Sequence, residues 1–369
     1  MTTEEVVKSL FDRADIRVGG DRPWDIQVRN QKFYNRCLTE GSVGLGESYL
    51  DAWWECPHVD QFICKLLKAR IRAKIPTWSL AWSTMKARLF NLQKPSRAFH
   101  IGECHYDIGN DLYERMLGSS MMYSCAYWHD ADNLDEAQER KLRMTCDKLD
   151  IKPGMAILDI GCGWGSLCQF LAEQYDVRVV GITVSKQQEA LARERCRELP
   201  VEIRYQDYRD VDERFDRIIS IGMFEHVGYK NYRTYMRRVA HCLKDDGLFL
   251  LHTIGNNESH VSIDPWVGKY IFPNSLIPSI QQIGAAIEEL FVMEDWHNLN
   301  IHYDKTLMAW FDNFSRNWSE IKSHYDDRFY RMWRYYLLSC AGAFRAREIQ
   351  VWQVLLSKPG REPPHVREV

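Results

Sequence analysis

Beyond about residue 130 the chain alternates short apolar runs with longer amphipathic ones, and that rhythm dictates a layered α/β architecture. "MAILDIG", "VRVVGIT", "VEIRYQD", "FDRIISIG" and "LFLLHTIG" read as strands. Leu134–Leu149, "SLCQFLAEQYD", "SKQQEALARERCREL" and "KNYRTYMRRVAHCLKDDG" read as helices, the last expected to end at Gly247. Such alternation implies a mainly parallel sheet with helices on both faces. From about 303 to 345 the rhythm breaks into aromatic helical stretches, "TLMAWFDNFSRNW" and "RFYRMWRYYLLSCAGAF". "EIQVWQVLLS" then resumes as a final strand.

The first 95 residues have a different character. Val59, Phe62, Ile63, Leu66, Leu67, Ile71 and Ile75 recur at helical spacing, so a small, mostly helical unit is predicted there. Pro76 and Pro95 punctuate the chain beyond that helix, which places a linker near 91–102. The glycines of "GSVGLGESYLDAWWEC" have neither a strand before them nor a Gly-Lys-Ser/Thr after them. The stretch therefore reads as a structural turn feeding a packed Trp53–Trp54, not as a phosphate loop.

Charge is unevenly distributed. Between Gln61 and Gly102 stand nine cations (Lys65, Lys68, Arg70, Arg72, Lys74, Lys86, Arg88, Lys94 and Arg97) and no Asp or Glu; subtracting them from the net −3 leaves about −12 on the rest. This local excess suits an anionic surface, either lipid headgroups or nucleic acid, and Trp78, Trp82 and Phe90 lie among the cations. A helix at a dimer interface with solvated charges is the ordinary alternative. The acidic remainder and the lack of a recognised nucleic-acid module disfavour a nucleic-acid partner. The eleven cysteines contain no C-x-x-C pair, which argues against a zinc cage or redox dithiol, and no metal is expected. Reduced thiols and the lack of a long apolar run fit a cytosolic protein without a secretory or membrane-spanning segment.

"LDIGCGWGS", Leu158 to Ser166, lies between the first strand and its helix. Gly161 and Gly163 let the backbone approach a ligand, and Gly165 opens the helix. Nicotinamide, flavin and S-adenosylmethionine sites all use such loops. A dinucleotide site also wants a ribose-binding acid about 20 residues on, whereas "VVGITVSKQQ" offers only Thr183, Ser185 and Gln188 before Glu189. Asp159 before the loop, Cys162 within it and Trp164 beside Gly163 favour S-adenosylmethionine, hence methyl transfer.

"HYDIGNDLY", "YSCAYW", "LDIGCGWGS", "GITVSKQQ", "SIGMFEHVG", "LHTIG" and "CAGAFRAREIQVWQ" occur in one order. In that order the chain resembles the cyclopropane-fatty-acyl-phospholipid synthases along essentially its whole length. The mycolic-acid cyclopropane synthases are similar from about His105 onward. The resemblance implies a class I S-adenosylmethionine-dependent methyltransferase: Rossmann-like, with a mainly parallel seven-stranded sheet. Its expected parts are a helical N-terminal domain (1–95), a linker and cofactor-covering segment (96–130), and the methyltransferase domain (131–369) with a helical acyl-pocket insertion at about 303–345.

By the same resemblance, Tyr123 and Ser124 hold S-adenosylmethionine together with Ile157, Leu158, Asp159, Ile160, Gly161, Cys162, Gly163, Trp164 and Gly165. Thr183, Val184, Ser185, Lys186, Gln187 and Gln188 take its ribose side, and Gln206, Asp207 and Tyr208 flank the adenine. Ser166 stands where a further Gly is frequent in the family. A bicarbonate ion is implied on Cys125, Glu225, His252, Ile254 (through its backbone) and Tyr303. His226 is expected to be structural. Cys340, a family-motif cysteine, is carried as a candidate catalytic residue, although the chemistry requires no thiolate.

That chemistry explains the polar pair at the end of "DRIISIGMFEHVG". The implied substrate is a cis double bond in an acyl chain, and attack on a sulfonium methyl leaves a positive carbon in a dry pocket. A buried anion there offsets the charge and accepts a proton so that the ring closes. Trp164, Tyr127, Phe272, Trp310, Phe314 and Tyr336 are candidate pocket rings, although aromatic stripes at helical spacing are usually core. The resemblance further implies a cytoplasmic homodimer, peripherally bound to phospholipid at the inner membrane surface. A same-fold amine or small-molecule methyltransferase is the competing reading.

Overall fold

A computed structural model describes residues 1–71 and 109–364, which fall into two compact units. Six of the nine cations (Arg72, Lys74, Lys86, Arg88, Lys94 and Arg97), the rings Trp78, Trp82 and Phe90, and the linker near 91–102 lie outside the described residues.

The α/β unit comprises 109–260, 274–302 and 350–364. Its sheet has seven strands: β1 (Ala156–Ile160), β2 (Arg178–Thr183), β3 (Val201–Tyr205), β4 (Phe215–Ile221), β5 (Leu243–Asn256), β6 (Val292–Asn298) and β7 (Ile349–Ser357). Their order is β3-β2-β1-β4-β5-β7-β6, with β1, β2, β3, β4 and β5 paired in parallel and β6 antiparallel to β7. Alternate residues serve opposite faces, as the two-residue strand period requires. Leu158, Ile218 and Phe249 enter one core, whereas Ile157, Ile219, Leu248 and Leu250 enter the other. From β1 the chain runs outward to β2 and β3, then returns to the far side of β1 with β4. That reversal opens a crevice at the carboxyl ends of β1 and β4, where an open α/β sheet binds its ligand.

One element boundary and one whole strand differ from the sequence expectation. The helix before β5 stops at Cys242, not Gly247, and "LKDDG" already belongs to the strand because Leu243 pairs with Phe215 beside an irregularity in the β4–β5 register. Strand β6, "VMEDWHN", carries inverted patterning: Val292 and Met293 are exposed while Asp295 is buried, so it gave no apolar alternation to read.

The second unit comprises 1–71, 261–273 and 303–349. The aromatic helices Asn300–Ile321 and Asp327–Arg345, expected as an insertion in the methyltransferase domain, thus group from 303 onward with the N-terminal helices. The physical reason is close packing against Val59–Lys68. Gly342 has no side chain because a Cβ there would lie 2.4 Å from the Asp60 carbonyl oxygen. Arg345 then ion-pairs with Asp60 and, at 2.8 Å, with Asp304. "GSVGLGESYL" forms the helix Ser42–Leu50, not a turn, since Gly44 and Gly46 admit the Arg36 carbonyl and the Trp266 ring. Trp54 is fully buried there, whereas Trp53 is only half-buried. No helix among the described residues is long and apolar enough to cross a membrane.

Candidate active site

The turn after β1 is built by backbone conformation. Gly161, Gly163 and Gly165 have φ of +89°, +54° and +83°, the left-handed region that side chains resist. A Cβ at Gly163 would meet nothing within 4 Å, so the loop leaves open space for a ligand. The Gly161 and Cys162 amides donate to the Ile182 carbonyl at 3.0 Å and hold the turn against β2.

A cavity opens over this turn. Tyr123, Ser124, Asp159, Ile160, Gly161, Cys162, Gly163, Trp164, Thr183, Val184, Gln188, Gln206, Asp207 and Tyr208 line it. Ile157 and Leu158 do not; they enter the two sheet cores. Gly165, Ser185, Lys186 and Gln187 are also outside the lining, and Ser185 instead caps the helix Lys186–Arg195 by accepting from the Gln188 amide. Thr183 Oγ1 donates to Gln188 Oε1 at 2.9 Å, which pre-sets both polar groups. Asp207 is held by the Arg209 amide and guanidinium at 2.9 and 2.8 Å. The buried Tyr208 hydroxyl has no hydrogen-bond partner among the described residues. An open glycine cradle, an unpaired hydroxyl and fixed Thr183–Gln188 groups fit a nucleoside-bearing ligand of the S-adenosyl type.

The sequence reading missed several lining residues, among them Met121, Met122, Ser166, Arg209, Met223 and His226. His226, expected to be structural, faces the cofactor cavity, and burial pushes its pKa down to about 4. The usable signal was position: Met223 directly follows Gly222 (φ +68°) at the end of β4, and His226 stands three residues further on. Beneath the cavity, Gln138 donates to the Met122 and Ser124 carbonyls at 3.3 and 3.0 Å. The fully buried Lys141 ammonium reaches Ser124 Oγ at 3.0 Å. Burial pushes Lys141 down to about 7, and Asp159, also buried, up to about 7.

Glu225 stands just beyond the end of β4, and His252 lies within β5, paired with Ile221, the last residue of β4. Glu225 sits on a short turn, Phe224–His226, and its Oε1 accepts the Ile254 amide at 2.7 Å. Burial raises its pKa to about 7, and Oε2 is buried without a hydrogen-bond partner among the described residues. His252 is 2% exposed, and burial followed by the Lys141 and Lys148 charges holds its pKa well below the usual range. Its Nδ1 lies 3.4 Å from Gln353 Nε2, while Nε2 has no hydrogen-bond partner among the described residues. The Cys125 thiol is wholly buried and donates to the Ala126 carbonyl at 3.2 Å. Ile254 has its amide proton committed to Glu225, and its carbonyl accepts the Thr253 hydroxyl at 3.0 Å. Unpaired polar atoms on two buried titratable side chains fit a small hydrogen-bonding anion.

Tyr303 and Cys340 belong to the helical unit. The Tyr303 ring packs on Phe344 and Trp310, with centroids 4.6 and 5.9 Å away. Burial pushes the Cys340 thiol up to about 12, with Asp264 adding to the shift, so it is not a thiolate at neutral pH. Of the candidate rings, Trp164 lines the cofactor cavity and Tyr127 packs on His302. Phe272, Trp310, Phe314 and Tyr336 belong to the helical unit, where Trp310, Phe314 and Tyr336 are core.

The chain matches the family model of the mycolic acid cyclopropane synthetases over residues 93–354. It is 54% identical to the cyclopropane-fatty-acyl-phospholipid synthase of Escherichia coli K12 over 96% of this chain and 93% of that protein. The crystal structure of mycolic acid cyclopropane synthase CmaA1 complexed with SAH and CTAB superposes with a TM-score of 0.66 at 31% identity, covering 70% of this chain and 98% of that one. Coclaurine N-methyltransferase, bound to N-methylheliamine and SAH, gives 0.70 at 25% identity over 86% and 99%. A glycine-cradled cavity at the sheet's topological reversal and agreement along nearly the whole sequence lead to one conclusion: the chain belongs to the mycolic acid cyclopropane synthetase family and is an S-adenosylmethionine-dependent methyltransferase.

Proposed function

We propose that the enzyme transfers a methylene unit from S-adenosylmethionine to the cis double bond of unsaturated acyl chains in membrane phospholipids, forming a cyclopropane ring and S-adenosylhomocysteine. The observation that carries this reading is the 54% identity, over 96% of the chain, to the Escherichia coli phospholipid enzyme. The bound S-adenosyl donor supplies an electrophilic methyl carbon on a sulfonium. The alkene π pair bonds to that carbon as the S–C bond breaks, and the chain is left with a positive carbon. Loss of a proton from the new methyl returns the C–H pair to the cation and closes the ring.

A bicarbonate ion held in this anion site would supply the base and the counter-charge. Cys125, Glu225, His252, the Ile254 backbone and Tyr303 are the residues we assign to it. Glu225 Oε2 and His252 Nε2 support the assignment because both are buried without a protein partner. Glu225 also fixes the Ile254 backbone, leaving that carbonyl as the polar group Ile254 presents. Exclusion of water keeps the cation from hydration and strengthens each charge interaction.

The basic segment 61–102 is the part we assign to anionic phospholipid, in a homodimer peripherally bound at the cytoplasmic membrane face. Of its described cations, Lys65 already pairs with Asp15 at 2.8 Å and covers the Trp24 ring, so it is tied within its own unit. Replacing Lys86, Arg88, Lys94 and Arg97 with Gln is expected to weaken anionic-liposome binding and spare S-adenosylmethionine affinity. Undiminished liposome retention overturns the membrane role.

The similarity to coclaurine N-methyltransferase favours a second reading, methylation of an amine. Incubation with S-adenosylmethionine and vesicles of unsaturated phosphatidylethanolamine, followed by mass spectrometry, separates the two. Cyclopropanation adds one CH2 to the acyl chains and removes the double bond, whereas the second reading adds it to the headgroup.

A further inference from the structure

The His252 imidazole leans on a buried polar chain of residues that do not themselves line the cofactor cavity. Gln353, on the interior strand β7 and wholly buried, places its Nε2 3.1 Å from Thr145 Oγ1 and 3.4 Å from His252 Nδ1. Thr145, also wholly buried, donates its one hydroxyl proton to the Lys141 carbonyl at 2.8 Å. With that proton committed, Thr145 Oγ1 can only accept from Gln353, so the amide group facing it is NH2. The second proton of the same NH2 faces His252 Nδ1.

A flipped amide is the alternative and is worse. It would put Oε1 between Thr145 and His252, cost the Thr145–Lys141 bond and move the NH2 to the buried position where Oε1 finds no partner among the described residues. The orientation described leaves only one acceptor, Oε1, unpaired. An unsatisfied buried acceptor is the commoner and cheaper defect.

We infer that Gln353 is a positioning residue which sets the tautomer of His252, with Nδ1 accepting and Nε2 carrying the proton. Nε2 is the buried nitrogen without a protein partner, so Gln353 turns it into a hydrogen-bond donor. This is the polarity an oxygen anion needs, and the inference joins the proposed anion site at that point only. Burial and the nearby Lys141 and Lys148 charges keep the ring neutral, the state in which the choice of tautomer matters. Outer partners of this kind commonly fix imidazole orientation at metal sites, where their loss costs roughly ten- to a hundredfold.

The test is 15N NMR of histidine-labelled protein, with the His252 signals assigned by their disappearance in His252→Gln. In the wild type we expect an unprotonated Nδ1 and a protonated Nε2. Gln353→Glu, which presents an acceptor, is expected to invert this pattern and to lower kcat roughly tenfold or more with the KM for S-adenosylmethionine unchanged. Gln353→Leu is expected to mix the two tautomers. A wild-type ring protonated on Nδ1, or a tautomer unmoved in Gln353→Glu, overturns the inference; the wild-type spectrum decides even where a variant does not fold. An inverted tautomer with full turnover upholds the Gln353 role and contradicts instead the assignment of His252 to the anion site.

Discussion

Glu225 accepts the Ile254 amide at 2.7 Å through Oε1, tying the turn after β4 to the end of β5 and leaving Oε2 buried and unpaired. A buried carboxyl oxygen left without a partner costs the fold stability.

Stability should therefore respond to pH through Glu225. Its pKa rises on folding from 4.5 to about 7, so it favours the folded state below pH 4.5, and that advantage is lost as pH climbs through 7. Glu225→Gln removes the titration. The melting temperature of the variant relative to wild type is expected to climb between pH 4.5 and 7 and level off above. The difference is on the order of 3 kcal/mol at most, at about 1.4 kcal/mol per pKa unit. A pH-independent difference contradicts the burial of this group.

Gln138 ties down the strand of chain that carries Tyr123 and Ser124 by bonding two of its carbonyls. Gln138→Leu leaves both carbonyls buried and unpaired, about 1–3 kcal/mol each. S-adenosylmethionine binding, followed by calorimetry, is expected to weaken roughly tenfold or more, equivalent to about 1.4 kcal/mol. Unchanged affinity would show that this segment needs no such support.

Gly161 combines φ +89° with a would-be Cβ only 2.9 Å from Met223 Cβ. Gly161→Ala is expected to cost about 1–3 kcal/mol in strain and to abolish measurable cofactor binding. Gly163→Ala, where the Cβ meets nothing within 4 Å, should be the milder of the two for folding. Denaturant melts of both variants, with a binding assay, check the ranking.

Cys340 has a thiol held near 12 and therefore protonated. Cys340→Ala is expected to keep kcat within about threefold of wild type, far from the roughly millionfold loss seen when a true covalent nucleophile is removed. A near-complete loss of turnover with the fold intact would restore the cysteine to the mechanism.

The sheet was legible because its strands are apolar on both faces: Ile157 and Leu158, or Ile218 and Ile219, announce burial on opposite sides. The glycine loop was legible for the same local reason, a backbone that only Gly tolerates. Strand β6 was not, because Asp295 faces inward where Lys148 receives it at 3.3 Å, a partner 147 residues away in the chain. Gln138, Thr145 and Gln353 were invisible on the same grounds. Each looks like an ordinary polar residue until folding brings its partner to it. The division of the chain into units also escaped local reading, since Gly342 declares its purpose only against Asp60.

The most direct measurement is the turnover of Glu225→Gln on unsaturated phospholipid vesicles, read beside its S-adenosylmethionine affinity. A buried carboxyl that orients the proton acceptor should be dispensable for cofactor binding and worth a hundredfold or more in rate, roughly the span of general acid–base assistance. Unaltered affinity with such a loss is the expected result. Turnover close to wild type would contradict the anion site we assign to Glu225 and His252.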